Sequence, residues 1–169
     1  MKKNNIVLIG MMGAGKSTIG AELAKYLKNY TLIDMDFEIE KRQNTKISEI
    51  FKNHGEAYFR ELETNLIKEL YKKENQIIST GGGVFEKEEN RKLLKELGTV
   101  FYLKASAEKL FDRIKDQTHR PLLQQGFGAE KIKTILENRE VNYEKADIII
   151  DTENELPSNI VERIAKEYI

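Results

Sequence analysis

The chain has 169 residues, a length suited to one domain (1–169) with a sizeable hydrophobic core. Its 28 basic residues are balanced by 28 acidic ones, so the basic excess that marks a nucleic-acid partner is missing. No apolar run reaches membrane-spanning length, and the lack of cysteine excludes disulfides and thiolate metal sites, which fits a cytoplasmic location.

Ile6-Val7-Leu8-Ile9 is apolar and rich in β-branched residues, and it predicts a buried parallel strand. Met1-Lys2-Lys3 ahead of it gives the outline of a weak secretory leader. The strand and the loop that follows account for the same residues, and Lys16 interrupts the apolar region. Gly10-Met11-Met12-Gly13-Ala14-Gly15-Lys16-Ser17-Thr18 then matches G-x-x-x-x-G-K-[ST]. Ile19, Leu23, Ala24 and Leu27 follow at helical spacing, so the motif lies between a strand and a helix, where a phosphate-binding loop belongs. Its glycines let successive N–H groups curl around a phosphate, and the helix N-terminus adds further donors. Lys16 can reach β- and γ-phosphates, and the Ser17 hydroxyl can ligate Mg²⁺.

Tyr30 to Ile33 reads as a second strand ending in Asp34-Met35-Asp36. Ligands of doubly wound sheets gather outside the carboxyl ends of the strands, which suits both aspartates to Mg²⁺ or a hydroxyl; either can instead cap the helix that follows. Charge-rich helices are expected over Ile47 to Lys52 and about Glu56 to Lys73, the second with an apolar stripe of Phe59, Leu62, Leu66, Ile67 and Leu70. Arg60, Glu63 and Glu56 fall on other faces, and helical spacing alone makes Arg60 a solvated residue.

A third strand, Gln76 to Ser79, runs into Gly81-Gly82-Gly83, where a ligand can lie against bare backbone. A helix over about Glu88 to Leu97 leads to a fourth strand, Thr99 to Leu103, and Ser106 caps the next helix, with Arg113 near its end. The polar segment of about 115–128 reads as a mobile lid whose Arg120 can meet developing phosphoryl charge. His119 and His54 are assigned no role. A helix from Ala129 to about Glu144 carries Arg139. Ile148 to Ile150, bracketed by Asp147 and Asp151, predicts a plain edge strand, and Ser158 is expected to cap a last helix. These elements predict an α/β protein: a three-layer α/β/α sandwich of the P-loop NTPase type, with a five-stranded parallel sheet.

Several separated motifs together resemble the shikimate kinases, small P-loop kinases. They are Gly10–Thr18, Asp34-Met35-Asp36, Gly55-Glu56 with Phe59-Arg60 and Glu63, the triple glycine, Arg120-Pro121-Leu122-Leu123, and Arg139 with Tyr143 and Ala146-Asp147. The resemblance implies transfer of the γ-phosphate of ATP to the 3-hydroxyl of shikimate, with one Mg²⁺ per subunit. It implies ATP contacts from Gly13, Ala14, Gly15, Lys16, Ser17, Thr18, Arg113 (on adenine) and Arg120, and metal contacts from Ser17 and, through water, Asp34. It implies a substrate site of Asp36, Arg60, Gly81, Gly82, Gly83 and Arg139, with helices of about 36–73 forming its walls. Lys16, Asp36 and Arg120 are the implied catalytic residues, Asp36 as the group that can take the proton. The expected partners are ATP and shikimate, with neither nucleic acid nor membrane, and the expected state is a monomer.

Two places depart from the family pattern. Val141 stands where the family commonly has proline, two residues after the last substrate arginine, and Asp151-Thr152-Glu153-Asn154 matches poorly the stretch that the family places near adenine. Other small-molecule kinases, such as gluconate or nucleoside monophosphate kinases, share the first loop but not the set of Asp36, triple glycine and two arginines. A GTPase or a non-catalytic nucleotide-binding module shares only the loop. The chain lacks the Asn-Lys-x-Asp and D-x-x-G sequences of a GTPase.

Overall fold

Five short strands form one parallel sheet in the computed structural model, which describes residues 4–116 and 128–168. They are β1 (Asn5–Ile9), β2 (Thr31–Asp34), β3 (Gln76–Ser79), β4 (Thr99–Lys104) and β5 (Ile148–Asp151), in the order β2-β3-β1-β4-β5. Parallel strands covered on both faces need apolar side chains throughout, and all five residues of central β1 are buried. Edge strands β2 and β5 are less covered.

Eight helices of the described residues connect and cover the strands: α1 (Lys16–Tyr26), α2 (Met35–Gln43), α3 (Ile47–His54), α4 (Glu56–Leu70), α5 (Glu88–Leu97), α6 (Ala107–Ile114), α7 (Ala129–Tyr143) and α8 (Pro157–Tyr168). Helix α1 packs on α8, α4 on α5, and α6 on α7. With right-handed crossovers, the chain leaves β1 toward β2 on one face and leaves β3 toward β4 on the other. The loops after β1 and β3 therefore diverge from adjacent strands, and that divergence opens a crevice at the carboxyl edge of the sheet. Thr80 ties the two loops at their base, its N–H and its hydroxyl both donating to the Leu8 carbonyl at 3.1 and 2.9 Å.

Several sequence expectations shift in detail. The second strand stops at Asp34, and Asp36 already lies in the first turn of α2. Ser158 does not cap the last helix, because Pro157 is its first residue, and proline's fixed φ suits that position. Helix α7 runs unbroken through Val141, which is exposed. Ser106 does cap α6, accepting from the Lys109 N–H at 3.2 Å. The two acids around β5 have structural partners: Asp147 accepts from the Val100 N–H and Asp151 from the Glu153 N–H, both at 2.9 Å. Arg120 and His119 lie outside the described residues, as do residues 117–127 of the expected lid. No helix among the described residues is long and apolar enough to cross a membrane.

Candidate active site

A cleft of about 1210 Å³ runs along the carboxyl edge of the sheet, from the β5–α8 connection over the phosphate loop to α3 and α4. Its middle is the loop between β1 and α1. Gly13 has φ +80°, and a Cβ there would sit 2.8 Å from the Ile114 side chain and 2.9 Å from the Leu110 carbonyl. Glycine is thus required both for the turn and for the close approach of α6. Lys16 is buried and folded back over the loop, where its Nζ donates to the carbonyls of Gly10 and Met11 at 2.7 and 2.8 Å. The Ser17 hydroxyl donates to Asp34 Oδ2 at 2.7 Å, while Asp34 Oδ1 caps α2 through the Phe37 N–H. Asp34 thus combines the two roles weighed for it, with a helix cap on one oxygen and a site hydroxyl on the other.

At one end of the cleft, Arg113 spans from the phosphate loop to the β5–α8 connection. It donates to the Gly13 carbonyl at 3.2 Å and to the Thr152 carbonyl at 2.9 Å. Thr152 lines the cleft although the sequence comparison set its stretch aside, and Glu153 beside it accepts from the Ser106 N–H and hydroxyl at 2.8 and 2.7 Å. No periodicity marks these residues; their place follows from β5 lying beside β4.

The opposite end is built from side chains on separate elements. Arg60 (α4) and Arg139 (α7) converge on the triple glycine, with Asp36 at the same place. A Cβ at Gly81 would lie 2.9 Å from both Asp36 Oδ1 and Glu63 Oε1, and one at Gly82 would lie 3.2 Å from Arg139 Nη1. At Gly83 a Cβ would overlap the Arg60 guanidinium, 2.6 Å from its Cζ. The three glycines are therefore the floor on which two cations and two carboxylates are packed. Ile47, Phe51 and Phe59 supply an apolar wall, and the Phe51 and Phe59 rings lie 4.9 Å apart. No local pattern singles out Phe51 beyond its being an apolar residue on a charged helix.

Glu63 is the main revision at this end. Helical spacing placed it off the apolar stripe, yet it is 1% exposed and pairs with Arg60 at 2.7 Å. Its Oε1 is buried with no hydrogen-bond partner among the described residues. Burial pushes the Glu63 carboxyl up to about 7, against the opposing pull of Arg60. Burial also works against the Arg60 charge, but the Glu63 and Glu56 carboxylates outweigh it and hold that guanidinium above its ordinary value. The cleft thus offers fixed positive charge and hydrogen-bond acceptors at this end, phosphate donors in the middle, and a guanidinium bridge at the far end.

Comparison with known proteins agrees with this layout. The family described as Shikimate kinase matches residues 12–168. The chain belongs to the shikimate kinase family. A shikimate kinase of Thermodesulfovibrio yellowstonii is 48% identical over 164 residues, covering 97% of this chain and 94% of the relative. One from Persephonella marina is 43% identical over 160 residues, with 95% and 96% covered. Among solved structures, shikimate kinase from Acinetobacter baumannii in complex with shikimate superposes with a TM-score of 0.91 at 35% identity, covering 98% of this chain and 92% of that one. The five-stranded parallel sheet with helices on both sides is the fold of these shikimate kinases and of P-loop kinases more widely.

Proposed function

We propose that the chain transfers the γ-phosphoryl group of ATP to the 3-hydroxyl of shikimate, giving 3-phosphoshikimate and ADP, a step of chorismate and aromatic amino acid biosynthesis. The observation that carries this reading is one continuous cleft with the phosphate loop in its middle and Asp36, Arg60 and Arg139 packed on Gly81-Gly82-Gly83 at one end. A small hydroxylated carboxylate needs planar cations at its carboxylate and an acceptor at its hydroxyls, and these side chains supply both.

In this reading the N–H groups of Gly13 to Thr18 hold the β- and γ-phosphates. Lys16 leaves the Gly10 and Met11 carbonyls to reach the γ-phosphate, and Arg113 stacks on adenine beside Thr152. Arg60 and Arg139 hold the shikimate carboxylate, and the apolar wall of Ile47, Phe51 and Phe59 faces the ring. Asp36 orients the 3-hydroxyl. As that oxygen bonds to phosphorus and the bond to the bridging oxygen of ADP breaks, the hydroxyl proton passes to Asp36. Lys16 and Arg120 meet the charge that spreads over the transferring oxygens.

The Ser17 hydroxyl and the Asp34 carboxylate, 2.7 Å apart, are hard oxygen donors of the type Mg²⁺ takes. No cluster of three or more acidic, His or Cys ligands occurs among the described residues. Such a sparse donor set fits an ion that arrives with nucleotide and keeps most of its shell as phosphate and water. When bound, Mg²⁺ neutralises phosphate charge; Ser17 would touch it directly and Asp34 through water. We further propose one such ion per subunit, a monomer, and a cytoplasmic location.

The deciding experiment is ADP release from ATP and Mg²⁺ by purified protein, alone and with shikimate, gluconate or AMP. Release that requires shikimate is the expected result. Release driven by gluconate or AMP instead would remove Arg60 and Arg139 from substrate binding, and ATP binding without acceptor-dependent release would point to a non-catalytic module.

A further inference from the structure

Tyr143, the last residue of α7, is completely buried, and its ring stacks on Tyr102 of β4 with centroids 5.0 Å apart and planes at 28°. Aromatic packing accounts for the ring but not for the hydroxyl. That hydroxyl donates to the Gly82 carbonyl, and the Arg139 guanidinium, one helical turn earlier on α7, lies against the same glycine, its Nη1 3.2 Å from where a Gly82 Cβ would stand. Both Gly82 and Arg139 line the cleft. The hydroxyl on α7 thus fixes the carbonyl of the glycine on which the guanidinium of the same helix packs.

We infer that Tyr143 is a positioning residue that sets the substrate end of the cleft by holding the Gly82–Gly83 peptide against which Arg139 packs; this rests on the shikimate reading above. The Arg139 Nη1 also donates weakly to Met11 Sδ at 3.9 Å. A long guanidinium loses side-chain entropy when it must hold a carboxylate, so a glycine surface fixed beside it by Tyr143 raises affinity. The Gly82 carbonyl has an equivalent need. Glycine fixes its peptide plane poorly, and in a trans peptide the carbonyl and the following N–H point in opposite directions. Holding the Gly82 carbonyl toward α7 therefore aims the Gly83 N–H away from α7. Burial pushes the Tyr143 hydroxyl up to about 12, so it stays protonated and able to donate across the working pH range.

Tyr143→Phe keeps the ring and removes only the hydroxyl. Calorimetric titration of shikimate into the wild type and the variant is the test, followed by steady-state kinetics. The expected result is an approximately tenfold weaker shikimate Kd and KM, with kcat and the KM for ATP within about twofold. In an Arg139→Lys background the same change should cost much less than tenfold, because its effect runs through the arginine. Unchanged shikimate affinity, an equal rise in both KM values, or full additivity with Arg139→Lys would each overturn the inference. If the wild type does not bind shikimate, the inference and the proposed reaction fall together; if the wild type binds and Tyr143→Phe binds as tightly, the inference alone falls. A thermal melt of Tyr143→Phe identifies loss of fold, and Tyr143→Met supplies a second hydroxyl-free side chain, for which the same shikimate-only effect is expected.

Discussion

At the phosphate loop, the cleft is lined by one consecutive run, Met12 to Ile19, which supplies backbone N–H donors, one lysine and the Ser17 and Thr18 hydroxyls. At the acceptor end, Asp36, Arg60, Glu63 and Arg139 arrive from α2, α4 and α7 onto a glycine floor after β3. The first arrangement addresses phosphates, which every nucleotide carries. The second is specific because four charged groups, one of them a buried carboxylate, must be placed from elements far apart in sequence. A local loop gives a general binding element, and distant side chains on rigid elements give selectivity.

If the two ends are separable in this way, changes at one should spare the other. The largest effect is expected from Lys16→Met, which removes the cation at the phosphate loop: kcat should fall by roughly 10³-fold while calorimetry shows shikimate binding retained. Loss of shikimate binding as well would mean that the ends act as one unit. Arg60→Ala comes next, with a fall in shikimate affinity of roughly 10²-fold and unchanged ATP binding by nucleotide titration. Equal loss of both ligands would remove Arg60 from the acceptor end.

Glu63 sharpens the contrast through pH. Its carboxyl is raised by burial to about 7, so between the ordinary value near 4.5 and about 7 the folded protein holds a proton that the unfolded chain has released. That contribution is fully present below the unfolded value and is lost as pH rises through the folded one. Melting curves at pH 5, 6, 7 and 8 should therefore show stability declining across this window relative to Glu63→Gln, by roughly 5 °C in total. Parallel curves for the two proteins would show that Glu63 does not titrate in this way.

The smallest expected effect belongs to Ser106→Ala, at the start of the helix that carries Arg113. Loss of the cap and of the hydroxyl's bond to Glu153 should lower Tm by about 3 °C, while the backbone N–H keeps its own bond to Glu153. Both substrates should keep their KM in steady-state assays, since the change lies outside the cleft.

Much of the fold was legible because its signals are local. The apolar strands, the capping serine of α6 and the edge character of β5 each depend on residues within one element. The misread details have equally local causes. Proline at the first helical position outcompeted Ser158 as a start signal, and a cap at Asp34 drew Asp36 into the helix instead of the strand.

The sequence by itself determined the strand–loop–helix unit and the nine-residue phosphate loop within it. Contiguous residues carry these because backbone geometry over a few positions suffices to define them. Only the tertiary structure decided that Glu63 is buried under the triple glycine, that Arg113 reaches Thr152, and that the Tyr143 hydroxyl ties α7 to the Gly82 carbonyl. Glu56, Arg60 and Glu63 form one charged stripe on α4, and helical spacing assigns such a stripe to solvent. Of the three only Glu63 is buried, because the loop after β3 packs on it, a contact between separate elements that no local pattern encodes.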